Sequence, residues 1–492
     1  MEPWGAEGYW LVRFVLQRGL ALIYLLAFLV AARQFRPIAG EEGLLPIDRY
    51  VETTSFRDRP SIFSLWPDDR AIGVAAWTGV ALSLAALLGL PYWFPEPYAV
   101  PASMLLWAAM WALYLSFVNA GGLFYGYGWE SMLLETGFLA IFLGAGATEP
   151  PTVVLWLISW VLFRNMFGAG LIKLRGDDCW RELTCMDYHY ETQPMPNPGS
   201  WFAHHLPDRF HRVEVLGNHV VELAIPFLYF APQPSAAIAG VVTIGFQLWL
   251  MGTGNFAWLN ALTIVQAVAT FSDGVLTAAL PVESPATAPT PLYLEGLALI
   301  VAVVVVVLSV RPIRNTLSSA QVMNTSFDPL HLVNAYGAFG SITRERYQLV
   351  VEGTRVENPN EDDWEAYELA GQPVHTEERP PQWAPYHLRL DWQLWFAAMR
   401  PVPGPRQRWV LAFLEALLED DGATLSLLRS NPFVDEPPER IRVLRYRYRF
   451  TTPEERRETG EWWHRERAGT YVHPVSLAEL RSGGTGRRIV GW

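Results

Sequence analysis

The chain has 492 residues, of which 51% are hydrophobic and 17% charged, and its formal net charge is −12 at neutral pH. A typical soluble domain carries about 25% charged residues. Here the shortfall is uneven: residues 1–319 hold 40 charged side chains, residues 320–492 hold 46. That division excludes one uniform globular protein, and the acidic balance of both parts leaves no basic footprint for nucleic acid.

In chain order, residues 1–319 read as a polytopic membrane domain. A bilayer core needs about 20 mostly apolar residues in a helix. Nine stretches qualify as candidates, roughly 10–33, 71–94, 99–118, 129–146, 152–173, 216–231, 235–252, 256–272 and 292–310. The first is too long for a cleavable signal and no small-residue cleavage site follows it. The sixth is the weakest, being short and containing His219, Glu222 and Pro226; the eighth is also short. The 22 tryptophans suit interfacial aromatic belts. Two connections are long, 34–70 and 174–215, and with nine spans both lie on the same face as everything after residue 319. The Pro/Ala/Thr-rich stretch 273–291 reads as a flexible linker on the other face.

Residues 320–492 read as an extramembrane α+β domain with antiparallel strands. β-like runs lie at 347–352, 387–390 and 441–450, the last alternating at period 2. Helix-like stretches lie at 391–399 and 408–418, with Trp409, Phe413, Ala416 and Leu417 at helical spacing. The Arg/Tyr alternation of 441–450 reads as a solvated strand face.

Polar groups at membrane depth are costly and face a bundle interior or cavity. Placed by helical rise, Glu130, Glu135, Arg164, Asn165, His219, Glu222 and Gln247 gather toward the face that carries the long loops. Two readings stand: Arg164 paired with Glu135 or Glu222 to hold helices together, or a polar cavity that takes a ligand. Lys173 closes the fifth span on the same face. It is the one lysine among 37 basic residues. Arg would anchor at an interface as well but cannot act as a base near neutral pH, whereas a partly buried Lys can. Lys173 is therefore a candidate base as well as a candidate anchor.

Cys179 and Cys185 open the loop 174–215. A local disulfide fits if that face is oxidising; a zinc site would need His189, His204 or His205, and no CxxC pair is present. By the positive-inside rule, the arginines on this face place it in the cytoplasm, though many neighbour acids, as at Arg57-Asp58-Arg59.

Five strings then carry a resemblance: FVNAGGLFYGYGWESMLLETGF at 117–138, GAGLIKLRGDDCWRELTCMDYHYETQPMPNPGSWFAHHLP at 168–207, NAYGAFGSITRERYQLVVEG at 334–353, RLDWQLWF at 389–396 and YRYRFTTPEERR at 446–457. The chain resembles the lipase maturation factor family over nearly its whole length. That resemblance implies a multi-pass protein whose animal relatives sit in the endoplasmic reticulum membrane and help secreted lipases reach their active form. It implies an exoplasmic or periplasmic C-terminal domain with a cytoplasmic N-terminus, an inner-membrane location here, an oxidised Cys179–Cys185 pair, membrane lipids around the helices and a lipase-type hydrolase as client. No cofactor or metal is expected. The membrane half alone is also similar to vitamin K-dependent gamma-carboxylases, through AGLIKL at 169–174. That likeness implies Lys173 as the base toward a lipid or quinone, with Glu130 loosely at the place of a catalytic His and Ile172 where those enzymes carry another Lys. The two expectations are a maturation factor whose client surface is the C-terminal domain plus the long loops, and a membrane enzyme using Lys173.

Overall fold

The structure is a computed structural model that describes residues 8–482 apart from 97, 281 and 283. Its N-terminal half is helical: α1 (Trp10–Ala39), α2 (Asp69–Leu87), α3 (Ala99–Ala120), α4 (Gly128–Ala140), α5 (Thr152–Arg175), α6 (Asp208–Leu223), α7 (Ser235–Thr253), α8 (Leu259–Ala267) and α9 (Leu292–Leu317). Among the described residues seven helical stretches are long and apolar enough to cross a membrane; α6 is one of them through its 3-10 continuation to Phe230.

The expectation of nine full spans is corrected at two places. α4 has 13 residues and α8 has 9, so α4 rises about 20 Å against a hydrocarbon core of about 30 Å. Their apolarity has another cause. α4 is almost wholly buried among its neighbours, and a helix surrounded by protein is apolar all round whatever its length. The sixth stretch, read as the weakest, is a full-length helix beginning at Asp208, so it absorbs the last eight residues of the predicted long loop.

The short helices still run between the same two ends as the long ones. Beyond α4, the carbonyls of Gly144, Gly146 and Thr148 accept hydrogen bonds from Gln17 (2.9 Å) and Arg13 (2.7 and 2.5 Å) near the start of α1. Beyond α8, the Asp273 carboxylate accepts from the backbone N–H groups of Leu11 and Val12, each at 3.0 Å. These are the first-turn donors that a helix cannot satisfy internally. The linker 273–291 is tied down in part: Thr290 Oγ1 donates to the Glu149 carbonyl at 2.9 Å.

The C-terminal part carries a four-stranded antiparallel sheet of β1 (Arg346–Thr354), β2 (Glu365–Ala366), β3 (Arg440–Phe450) and β4 (Trp463–Val475), in the order β2-β1-β3-β4. β1 and β3 pair in register, with Val350 opposite Leu444. The expected single solvated face of β3 is not found: buried Arg442 meets Glu352 and Glu361 at 2.7 Å each on one face, and Arg449, on the other, meets Glu455 at 2.7 Å. Of two helices, α10 (Arg389–Ala398) is buried on nearly all sides and α11 (Trp409–Leu418) buries one face. The run 387–390 is not a strand, since α10 already begins at Arg389; four residues are too few for period 2 to be told from a helical start. One continuous buried apolar cluster reaches from Leu11 in α1 to Val475 in β4. The two parts thus share a core.

Candidate functional site

The polar residues expected at membrane depth divide into three groups, each built by a different contact. The first is centred on Glu130 in the first turn of α4. It is wholly buried and its Oε1 lies 2.9 Å from Arg389 Nη1 of α10. Its other oxygen accepts from the Tyr114 hydroxyl of α3. Arg389 also donates to the Phe124 carbonyl at 2.7 Å and lies over the Tyr125 ring at 3.4 Å. His387 sits beside them with its Nδ1 3.7 Å from Glu130. Burial, and then Arg389, hold the His387 imidazole down at about 4, so it is neutral at pH 7. Arg389 is therefore the cation that compensates Glu130.

The second group joins α4 and α5 to the segment that follows α9. Arg164 forms an ion pair with Glu135 and donates to the Asn334 carbonyl at 2.6 Å. Glu135 accepts in turn from the Asn334 backbone N–H (3.1 Å), the Asn334 amide (3.0 Å) and the Tyr336 hydroxyl (2.6 Å). All four side chains are buried. Of the two readings of Arg164, the interhelix pair is the one the geometry realises, with Glu135 as its partner.

The third group surrounds a cavity of about 360 Å³ between α5, α6, α7 and α8, closed from above by the short helix Met186–Thr192 and by Phe339. Lys173, Glu222, Asn165 and Gln247 all line it. Lys173 Nζ donates to Glu222 Oε1 at 2.6 Å and to Asn218 Oδ1 at 2.8 Å, and lies 4.9 Å from the centroid of Trp180. The Asn218 amide closes the triangle on the other Glu222 oxygen at 2.9 Å. Asn165 donates to Thr263 at 3.0 Å, and Asn260 donates to Gln247 at 2.6 Å. His189 also lines the cavity; burial and the nearby Lys173 hold it down at about 3. His219 lies outside this lining, and its Nε2 donates to the Trp180 carbonyl, 3.0 Å away.

Above the cavity Cys179 and Cys185 are joined in a disulfide, with their Cα atoms 4.8 Å apart. Both sulfurs being engaged, no thiolate remains for the zinc alternative. The disulfide turn is buttressed by Asp177, whose carboxylate accepts from the Cys179 N–H at 3.1 Å and from Arg344 at 2.7 Å. The hydrogen bond from Arg344 holds that carboxyl at about 2.

Both parts of the chain match one family. The model of the lipase maturation factor transmembrane domain covers residues 11–278, and that of the lipase maturation factor C-terminal domain covers 332–473. Human lipase maturation factor 1 is 43% identical over 96% of this chain and 89% of its own length. The chain belongs to the lipase maturation factor family. Mouse lipase maturation factor 1 is 41% identical over 96% of the chain and 88% of its own length, and human lipase maturation factor 2 is 27% identical over 95% and 83%. No solved structure matches. The likeness to gamma-carboxylases is not shown by these matches.

In this lipase maturation factor homologue, several residues that organise the three groups escape a reading by hydropathy. Arg389 and His387 lie in the C-terminal part, where an Arg is unremarkable. The available signal was the string RLDWQLWF, in which Arg389 precedes an apolar helix. Asn334 and Tyr336 sit in the same way at the start of NAYGAFG. Asn218 is adjacent to His219 and one helical turn from Glu222, a spacing that puts it on the Glu222 face.

Proposed function

We propose that this protein assists the maturation of exported lipase-type hydrolases from within a membrane. The observation that carries the proposal is the likeness to human lipase maturation factor 1 across both parts of the chain, 43% identical over 96% of it. The C-terminal domain and the two long loops form the client surface. The chemistry of the junction suits that role. The buried Glu130–Arg389 pair, and the hydrogen bonds of Arg164 and Glu135 with Asn334 and Tyr336, tie the C-terminal part to the helices, so a client would meet one firm body rather than a tethered module. On this reading the C-terminal domain faces the exoplasm, periplasmic in a bacterial cell, and the N-terminus the cytoplasm. The Cys179–Cys185 disulfide supports that orientation, because such bonds persist in oxidising compartments. The contrary vote of the arginines loses weight where they are paired, as Arg36 is with Asp69 and Arg181 with Asp178.

The test is deletion of the gene in a strain secreting a lipase. Specific activity of the secreted lipase falls while its transcript is unchanged, and truncation after residue 319 has the same effect. Unchanged specific activity refutes the proposal.

A second reading, a membrane enzyme acting on a lipid or quinone with Lys173 as base, is favoured by one observation: Lys173 lines a largely apolar cavity. Its ammonium is already held by Glu222 and Asn218, as a base shuttling a proton or a structural pair would each be. Lys173→Arg keeps the charge and removes the base. Full function in that variant excludes the enzyme and leaves the pair.

A further inference from the structure

The largely apolar cavity between α5, α6, α7 and α8 carries polar groups that its own hydrogen bonds do not exhaust. Asn260 is 2% exposed, lines the cavity and spends its amide on Gln247, which leaves its Oδ1 without a partner. Buried polar atoms are normally satisfied, and one that is not calls for an explanation. His189 adds a neutral imidazole among Phe256, Phe339 and Tyr190. At the outer end Glu214 accepts from Trp249 at 2.8 Å, while its second oxygen also lacks a partner. The free positions are thus mostly acceptors.

The charge is already assigned. Lys173 is the one Lys or Arg in the lining and it is neutralised by Glu222. With Glu214 added, an anionic head would be brought against a surplus of carboxylate. A cationic head would have to shed its water in an apolar enclosure, which costs several kcal/mol per ion on the order of magnitude found for buried charges. A hydroxyl group satisfies an acceptor without either difficulty.

The mouth lies between α6 and α7, where Phe210, Gly217 and Trp249 are exposed. Next to it both helices present bare apolar side chains: Val213, Leu216 and Val220 on α6, Ile238, Val241 and Leu248 on α7. These are lipid-facing surfaces of membrane-spanning helices, so the mouth opens sideways toward acyl chains. A volume of about 360 Å³ lies at the low end of the roughly 300–1,000 Å³ usual for small-molecule pockets. It accommodates a head and the first part of a chain, the remainder lying in the bilayer.

We propose that this cavity binds a neutral, hydroxyl-bearing lipid of the monoacylglycerol type, its hydroxyls toward Asn260 and His189 and its acyl chain leaving between α6 and α7. The proposal rests on the second reading only for the cavity being a ligand site; it requires no chemistry at Lys173.

The test uses the full-length protein purified in nanodiscs and radiolabelled monooleoylglycerol, with oleate and oleylamine as competitors. Saturable binding of monooleoylglycerol is expected, at least tenfold tighter than either competitor. Gly217→Leu places a side chain at the mouth, where an added Cβ meets no atom within 4 Å, so the fold is kept while entry is blocked. Asn260→Leu removes the acceptor at nearly constant volume. Each lowers affinity about tenfold, with an unchanged melting curve for Gly217→Leu. Preference for oleate or oleylamine overturns the neutral headgroup, and binding untouched by Gly217→Leu overturns the site. Lipase maturation is assayed separately in cells carrying Gly217→Leu. Loss of lipid binding with normal lipase output leaves this proposal standing apart from the maturation reading, and normal binding without any effect of gene deletion on lipase refutes only the latter.

Discussion

The junction between the two parts of the chain rests on a charge that neither part satisfies alone, and removing Arg389 exposes how much depends on it. Arg389 and Glu130 are both wholly buried, 2.9 Å apart. In Arg389→Met the Glu130 carboxylate keeps only the Tyr114 hydroxyl and a neutral His387. Breaking a buried pair by removing one partner costs about 3–5 kcal/mol, because an uncompensated charge is left behind. That corresponds to roughly 10²- to 10⁴-fold in the equilibrium for opening the junction. The double variant Glu130→Gln with Arg389→Met removes both charges and recovers more than half of the loss, since replacing a whole buried pair by neutral groups is often tolerated. The assay is limited proteolysis in detergent, following release of the C-terminal fragment against time at several protease concentrations. Arg389→Met within threefold of the unaltered protein would refute the argument. So would a double variant no better than the single one, which would assign the effect to packing of the guanidinium over Tyr125 and Trp258 and not to its charge.

Acid sensitivity follows from His387. Its imidazole titrates at about 4 when folded and about 6.5 unfolded, so below pH 6.5 the unfolded chain takes up a proton that the folded one refuses. Stability falls from pH 6.5 to about 4, by as much as about 3 kcal/mol from this group; thermal melts of His387→Phe, which keeps a ring beside Tyr127, Trp129 and Trp392, are flatter over that window. Asp391 has the opposite sign. Burial pushes its carboxyl up to about 6, so its stabilising protonated form is lost as pH rises through 6, and Asp391→Asn melts no lower than the parent at pH 7.5 while its relative advantage shrinks by pH 5. Its Oδ1 still accepts from the Gly371 N–H, at 2.7 Å in the parent; a lower melting point at pH 7.5 would overturn this account. Reduction of Cys179–Cys185 removes the entropic restraint on a short loop, about 2 kcal/mol. The Cys179→Ser, Cys185→Ser variant therefore melts below the parent and no longer responds to dithiothreitol; equal melting with and without the bond would contradict this.

Much of the membrane half was legible because its helices announce themselves by length and apolarity. The boundaries of α3, α5 and α7 lie close to those read from hydropathy, while α1 and α9 begin where read but run on to Ala39 and Leu317, well past the expected ends at 33 and 310. Hydropathy failed where its premise fails. α4 and α8 are apolar because protein surrounds them, not lipid. α6 starts with Asp208-Arg209-Phe210-His211-Arg212, which looks like loop by composition but forms the first turns of the helix. The candidate polar residues, read as one cluster, fall into separate contacts. Depth along a helix can be computed from sequence, but rotation about its axis against unknown neighbours cannot. So Glu130, Glu135 and Glu222, all on the same side of the membrane, belong to three separate contacts with Arg389, Arg164 and Lys173. Two of those three contacts draw on residues after the last span, Arg389 in one and Asn334 with Tyr336 in the other, at separations of about 200 residues or more. No local pattern encodes such a pairing.

The same three contacts explain why one Lys stands in an otherwise arginine-only chain without requiring that it be catalytic. Arg389 and Arg164 each serve a carboxylate and a backbone carbonyl at once, Phe124 and Asn334 respectively, which suits a planar fork of donors. At Lys173 the acceptors are Glu222 and Asn218, side chains one helical turn apart on a single helix, with the Trp180 ring as the remaining wall. A compact ammonium fits between them and leaves the cavity beside it open. A guanidinium with its larger head would reach past Glu222 into that space. The geometry therefore ties the identity of residue 173 to the cavity. A side chain that fills less room preserves the volume that a lipid would occupy, and Lys173→Arg is expected to weaken monooleoylglycerol binding even if the ion pair with Glu222 survives.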